Sequence, residues 1–306
     1  MTMLSGFFVK FLAMLVSAFY LIGAPAAVAD GETLTPPDDC NLSFHVISDV
    51  HMETNNLYRK NIYVRCLRNM QRYAPDADAL IMTGDNVMNG QALENAILYG
   101  LTARLSPAKI LLPVCGNHDT GNLSGRFDET YARYVRYVNV FSGLPAVDKN
   151  YYSAEINGYT FLSLASEADT DFLGYMSDTQ YQWFASSLAA AAEDGKPVFV
   201  LSHYPLSWWN VGEADTESLV DTVKQYRNVY ILCGHLHPNY VIETQREESV
   251  WEFCLPRLTE CDEDTGETYG GTGVGMSFSV TDTAVVIRTV NFYTGRILSE
   301  RTEPIV

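Results

Sequence analysis

Five of the six histidines in this 306-residue chain lie in short polar clusters that follow or adjoin apolar, strand-like runs. The clusters are Asp49-Val50-His51, Gly84-Asp85-Asn86, Gly116-Asn117-His118-Asp119, Ser202-His203-Tyr204-Pro205 and Gly234-His235-Leu236-His237. Carboxylate, imidazole and amide oxygen donors from several strand ends, gathered at one sheet edge, make a mixed N/O set suited to transition metals. Two such ions side by side polarise a phosphoryl group and acidify a water, so hydrolysis of a phosphate ester is the chemistry this set permits.

Each cluster has a plainer reading when taken alone. Asp49 and His51 stand two apart just past a strand, where both can turn toward one ion, but a lone D-x-H is weak. Gly84 allows the sharp turn that sets Asp85 between two ions, although Asp after a strand also caps helices. Gly116-Asn117-His118-Asp119 is more specific, because the Asn117 amide oxygen can ligate a metal while His118 stays free for proton transfer. His235 and His237, separated by one residue and followed by Pro238, suit a loop feeding two neighbouring ions. The order of all five clusters carries the argument more than any member does.

Strand-length apolar runs recur at Phe44 to Ile47, Ala79 to Met82, Ile110 to Val114, Phe161 to Leu164, Val198 to Leu201 and Val229 to Cys233. Helical patterns at Leu57 to Tyr73, Ala92 to Leu105, Thr179 to Ala192 and Glu217 to Tyr226 alternate with them, which implies βαβ units and a buried sheet. Asn157-Gly158 between two alternating runs predicts a hairpin with a type I′ turn, and Met276 to Val280 with Ala284 to Val290 predicts another.

A hydrophobic fraction of 47% with 19% charged residues is ordinary globular composition and excludes disorder. The net charge of −17 opposes a nucleic-acid polymer as partner, since such binding is driven by Lys and Arg displacing phosphate counterions. Lys10, the apolar run Phe11 to Gly23 and Ala27-Val28-Ala29 follow the order of a secretory signal peptide, so 1–29 reads as an export signal and 30–42 as a linker. The competing reading is an uncleaved membrane anchor, the only route by which a membrane becomes a partner. Residues 43–306 form the expected domain, placed outside the cytoplasm. Cys115 and Cys233 read as buried thiols, while Cys254 and Cys261 flank a turn and leave a local disulfide open.

The five blocks resemble the calcineurin-like metallophosphoesterase superfamily, whose pattern is D-x-H, G-D, G-N-H-D/E, H and G-H-x-H in that order, here between about Ser43 and Pro238. The resemblance implies an α/β fold, a four-layer αββα sandwich of two mixed β-sheets flanked by helices. It implies that one ion takes Asp49, His51, Asp85 and His237, and that the other takes Asp85, Asn117, His203 and His235, with Asp85 bridging. The ions would be divalent or mixed-valence Fe, Mn or Zn, and a bridging hydroxide would attack phosphorus. His118 would serve the leaving oxygen, and Asp119 would either orient His118 or cap its loop.

Departures from the superfamily's branches narrow the substrate. Purple acid phosphatases carry a tyrosine three residues after the bridging aspartate, where this chain has Met88. Serine/threonine phosphatases carry Asp-Arg-Gly where this chain has Met88-Asn89-Gly90. Asp119 and the stretch Ser177 to Leu188, with Gln180 and Trp183, look more like the branch of bacterial cyclic-nucleotide phosphodiesterases. The expected activity is therefore hydrolysis of a small phosphodiester. A phosphomonoesterase, a nuclease and a non-catalytic binding module on the same scaffold are the alternatives.

Several further residues admit two roles. Trp208 and Trp209 follow a ligand and either wall the pocket against an apolar leaving group or cover core. Asn86 and Asn89 either meet phosphate or make turns, His45 is expected to be a structural histidine within the first strand, and Glu260 to Glu267 is expected to be a solvated acidic loop.

Overall fold

The apolar runs become strands because a layer of side chains covers each of their faces. The computed structural model describes residues 3–212 and 218–306. One sheet places β1 (Leu42–Ile47), β2 (Ala79–Met82) and β3 (Ile110–Pro113) in parallel. It continues from β1 through the antiparallel strands β12 (Val274–Val280), β13 (Ala284–Asn291) and β14 (Arg296–Pro304). The second sheet runs β10 (Ile242–Glu247), β11 (Val250–Cys254), β9 (Val229–Cys233), β7 (Val198–Leu201), β5 (Tyr159–Ser163) and β4 (Tyr152–Ile156). A small parallel pair joins β6 (Gly174–Met176) to β8 (Trp209–Val211).

Period-two alternation sorts the side chains between layers. Phe44, Val46, Ala79 and Ile81 meet Phe161, Phe199, Phe253 and Phe278 between the two sheets. Phe44 stacks on Phe278 at 4.9 Å and meets Phe199 edge-on at 4.8 Å. Ile47, Leu80 and Met82 turn the other way, toward α2 (Leu57–Tyr73) and α3 (Ala92–Leu105). Leu162, Val200 and Ile231 pack under α5 (Asp178–Ala191) and α6 (Leu219–Val223). Burial of each such side chain contributes about 1.5–3 kcal/mol, so the inter-sheet aromatic cluster is the main anchor of the β-layers. The result is the expected four-layer αββα sandwich.

Asn157 and Gly158 both take positive φ, 52° and 77°, as a type I′ turn requires. His45 is buried in β1, with Nε2 2.9 Å from the Ala74 carbonyl and Nδ1 3.1 Å from Ser277 Oγ. A carbonyl only accepts, so Nε2 carries the proton, and burial lowers the imidazole to about 4. The pattern expected from Glu217 begins outside the described residues, and within them its helix is the short α6. The helix α4 (Phe127–Phe141) was not apparent in the sequence.

The segment expected to be an export signal forms α1 (Met3–Tyr20) and rests on α3. Arg104 donates from Nε to Ser17 Oγ at 3.0 Å, and a Cβ at Gly100 would lie 2.3 Å from the Ala13 carbonyl, so only glycine permits this approach. Farther along, Val28 N–H donates to Asn69 Oδ1 at 2.9 Å and Tyr73 OH to the Val28 carbonyl at 2.7 Å. No described helix is long and apolar enough to cross a membrane. All six cysteines are free thiols, so Cys254 and Cys261 form no bridge; Cys254 Sγ instead donates to the Gly234 carbonyl at 3.1 Å.

Candidate metal centre

All the expected ligands sit on loops leaving one edge of the sandwich. The loops after β1 and β2 extend their ladder: Asp49 N–H donates to Gly84 O at 3.1 Å and His51 N–H to Asp85 O at 2.8 Å. Three glycines make this crowding possible. A Cβ on Gly84 would lie 2.4 Å from His203 Nδ1, one on Gly116 would lie 2.2 Å from Asp85 Oδ1, and one on Gly234 would lie 2.0 Å from Ser48 Oγ. Asp49, His51, Asp85, His235 and His237 all occupy the left-handed backbone region, with φ between 44° and 71°. Such conformations disfavour L-residues and cluster where side chains must be aimed at a common point.

Two donor groups converge and share Asp85. In the first, His237 Nε2 lies 3.0 Å and His51 Nε2 3.6 Å from Asp49 Oδ1, and His51 Nε2 lies 3.5 Å from Asp85 Oδ2. The two imidazole nitrogens are themselves 3.3 Å apart. In the second, His203 Nε2 lies 3.3 Å from Asp85 Oδ2, 3.1 Å from Asn117 Oδ1 and 3.2 Å from His235 Nδ1. The Asp, His and carboxylate donors within each group lie within 4.8 Å of one another. So many lone pairs aimed at two points, most of them buried, are mutually repulsive unless cations bind them; the residues fit a dinuclear centre.

The electrostatics divide the ligands: His51 and His235 are held neutral, whereas Asp85 favours a proton on His203 that a bound metal would displace. Asp49 is buried, yet hydrogen bonds from His237 and His51 hold its carboxyl well below the usual range. Asp85 is likewise held low despite burial, chiefly by His203. Burial opposes protonation of His203, but the adjacent Asp85 carboxylate lifts it to about 10. Burial lowers His51 and His235 to about 4, so their lone pairs are available for coordination at neutral pH.

His118 stands apart from the ligands. Its Nδ1 lies 2.7 Å from the Met88 carbonyl, which fixes the ring and leaves Nε2 facing the centre, 4.0 Å from Asp85 Oδ2. Asp119 does not orient this ring. It is buried and accepts N–H groups of Asn86, Val87 and Gly116 at 2.9–3.3 Å, holding the Asp85 and Asn117 loops together. Burial, reinforced by Asp85, pushes its carboxyl up to about 7. Of the two residues expected to be catalytic, His118 faces the centre and Asp119 is a loop cap.

The remaining candidates separate in the same way. Asn86 donates to the Val114 carbonyl and Asp119, and Asn89 to Glu94, so both make turns and caps. Trp208 meets the His235 ring edge-on at 5.7 Å, whereas Trp209 donates to Ser202 Oγ at 3.2 Å and packs against Tyr204. Trp208 therefore borders the centre and Trp209 covers core. Gln180 ties α5 to the Ala165 backbone and Trp183 packs on Tyr151, so neither reaches the ligands. Asp262 Oδ1 accepts the Asp264 and Thr265 N–H groups in an exposed turn, while Glu263 pairs with Arg59 and Cys261 is buried, so 260–267 is a surface loop tied to the body.

Comparison with known proteins agrees with the geometry. The sequence model described as calcineurin-like phosphoesterase matches residues 42–239, and the chain belongs to that family. It is a metal-dependent phosphoester hydrolase with a dinuclear centre. The fold is similar to a dimetal phosphatase from Danio rerio, with a TM-score of 0.59 and 13% identity over 88% of this chain and 100% of that one. It is also similar to the purple acid phosphatase PPD1 of yellow lupin seeds, with a TM-score of 0.56 and 12% identity over 85% of this chain and 53% of that one. A third similar structure is GAP50, the anchor in the inner membrane complex of Plasmodium, with a TM-score of 0.56 and 11% identity over 87% and 90% of the two chains. No curated protein sequence matches.

Proposed function

We propose that this protein is an exported phosphodiesterase that hydrolyses small phosphodiesters, nucleotides among them, with Fe, Mn or Zn as its two ions. The observation that carries the reading is the pair of donor groups sharing Asp85, with His118 left unligated at their edge. When bound, the ions supply Lewis-acid polarisation of the phosphoryl group and a water acidic enough to ionise near neutral pH. Asp85, between the two groups, fixes their separation. His118 moves the proton: with Nδ1–H tied to the Met88 carbonyl, the imidazolium form carries its second proton on Nε2, and giving that proton to the leaving oxygen leaves the neutral ring.

Diester specificity is supported by what surrounds that edge. Met88 and Asn89 stand where other branches carry a tyrosine ligand or a phosphate-binding arginine, and Met88 Sδ lies against Arg59 at 3.9 Å rather than among the ligands. Trp208 beside His235 offers a flat apolar face to the esterifying group. The test is a turnover panel of bis-(p-nitrophenyl) phosphate, p-nitrophenyl phosphate and cyclic nucleotides with Mn, Fe and Zn. Higher kcat/KM on diesters supports the proposal, and monoester preference with every metal overturns it.

Export rests on Lys10, the apolar run and Ala27-Val28-Ala29. The packing of α1 on α3 favours a second reading, retention of the segment with its apolar side chains Phe7, Phe8, Phe11 and Phe19 exposed to a membrane. N-terminal sequencing of the extracytoplasmic protein separates them: a start near Asp30 supports cleavage, and an intact Met1 species confined to membranes supports retention.

A further inference from the structure

The loop following β11 carries a guanidinium that the metal centre leaves unused. Leu255 N–H donates to the Cys233 carbonyl at 2.8 Å, Leu258 N–H to the Ser48 carbonyl at 3.0 Å and Thr259 Oγ1 to the Val50 carbonyl at 2.7 Å. Residues 255–259 are thus bound to the same loops that carry Asp49, His51 and His235. Arg257 sits in the middle of that segment, one residue before Leu258, whose N–H is held on the Ser48 carbonyl beside Asp49.

Arg257 is poorly satisfied where it rests. Nη1 reaches Glu260 at 3.5 Å, while Nε and Nη2 are shielded from solvent and meet no acceptor. These two N–H groups lie along one edge of the guanidinium, the fork that receives two oxygens of a phosphate. Leaving both unpaired is unfavourable, and no acceptor pins the fork in its resting position. The neighbouring Arg59 differs, because Glu53 and Glu263 already pair with it. Arg301 also has an unpaired Nε, but its guanidinium stacks on Trp251 at 3.9 Å, Nη1 pairs with Glu303 at 3.1 Å and Nη2 lies 3.5 Å from Glu243. Arg257 has no aromatic stack, and its one carboxylate, Glu260, meets Nη1 and leaves the Nε–Nη2 edge unpaired.

We propose that Arg257 turns on its flexible stem to clamp a non-bridging phosphate oxygen of the substrate on the His51 side of the centre. It thereby supplies, from the loop after β11, the phosphate-binding arginine that Met88-Asn89 does not. The inference rests on the phosphoesterase reading and adds the residue that sets affinity for the phosphoryl group. Arg257 is on this account a binding residue, separate from the proton transfer assigned to His118.

The test titrates inorganic phosphate into the metal-loaded full-length protein by calorimetry, comparing wild type with Arg257→Met, Arg257→Lys and, as a control, Arg301→Met. The expected result is phosphate binding weakened about ten- to hundredfold in Arg257→Met, the range of a charge-assisted hydrogen bond, with metal content unchanged. Arg257→Lys should recover part of the loss and Arg301→Met should show none. On a diester substrate, KM should rise more than kcat falls. Phosphate affinity equal to wild type in Arg257→Met overturns the proposal, as does loss of metal in both Arg257 variants, which would make the residue a loop brace. Because the titration needs no turnover, phosphate binding through Arg257 in a protein that cleaves no ester would retain this inference and remove the enzymatic one.

Discussion

Replacing Gly116 with alanine should dismantle the bridging position without touching a ligand. An added Cβ would lie 2.2 Å from Asp85 Oδ1 and 2.3 Å from the Asp85 backbone nitrogen, whereas ordinary contact begins near 3.4 Å. Because the backbone is struck as well as the carboxylate, a rotamer change cannot relieve the clash, and Asp85 must move by about 1 Å. A displacement of that size at a reacting centre costs on the order of 10²-fold in rate. It also strains the His118 N–H bond to Asp85 Oδ1 at 2.9 Å and should destabilise the fold by about 1–3 kcal/mol through overpacking. The assay pairs elemental analysis after gel filtration with kcat on bis-(p-nitrophenyl) phosphate, using Gly125→Ala as comparison. Gly125 has φ +70° and nothing within 4 Å of an added Cβ, so that variant carries backbone strain of about 1 kcal/mol and should keep its metal. Full metal content and wild-type rate in Gly116→Ala would refute the claim that this glycine positions the bridging carboxylate.

Three further outcomes follow from the same geometry. Asp85→Asn should lose metal and activity together, whereas His118→Ala should keep two equivalents of metal and lose roughly 10²–10⁴-fold in rate; equal metal loss in both would dissolve that division. Trp208→Ala should cost about 1–3 kcal/mol in kcat/KM with an aromatic leaving group and much less with a small aliphatic ester, by analogy with base–aromatic stacking. Trp209→Ala, at a partly buried position, should instead lower stability by about 1–3 kcal/mol, and equal kinetic losses on both esters at Trp208 would argue against a stacking role. His45 supplies a pH signature of stability. Its folded value of about 4 lies below the ordinary 6.5, so its contribution is complete above pH 6.5 and is lost as pH falls toward 4. That gap corresponds to about 3 kcal/mol, and urea midpoints of His45→Gln should vary correspondingly less with pH than those of wild type.

Much of the centre was legible because its ligands are local to strand ends. Leu57–Tyr73 and Ala92–Leu105 were readable as helical stretches between strand-length runs, and the Asn157-Gly158 turn announced its hairpin. What escaped depended on contacts distant in sequence. β10 and β14 lie at sheet edges, where exposure lets Ile242–Glu247 and Arg296–Pro304 carry charged residues that obscure a strand pattern. The role of Asp119 turns on backbone N–H groups of Asn86 and Val87 brought to it by the β2–β3 pairing. Arg257 follows the last motif, and its segment meets the first through Leu258 N–H on the Ser48 carbonyl and Thr259 Oγ1 on the Val50 carbonyl. No spacing rule connects those positions.

The central claim is that Asp49, His51, Asp85, Asn117, His203, His235 and His237 hold two ions that drive phosphoester hydrolysis. Metal content and turnover measured on one sample, before chelation, after chelation and after adding metal back, test it most directly. The account predicts near two equivalents of transition metal, loss of bis-(p-nitrophenyl) phosphate hydrolysis on chelation and recovery on reloading. Less than one equivalent after metal-replete expression, or hydrolysis that persists when the metal is gone, would contradict it.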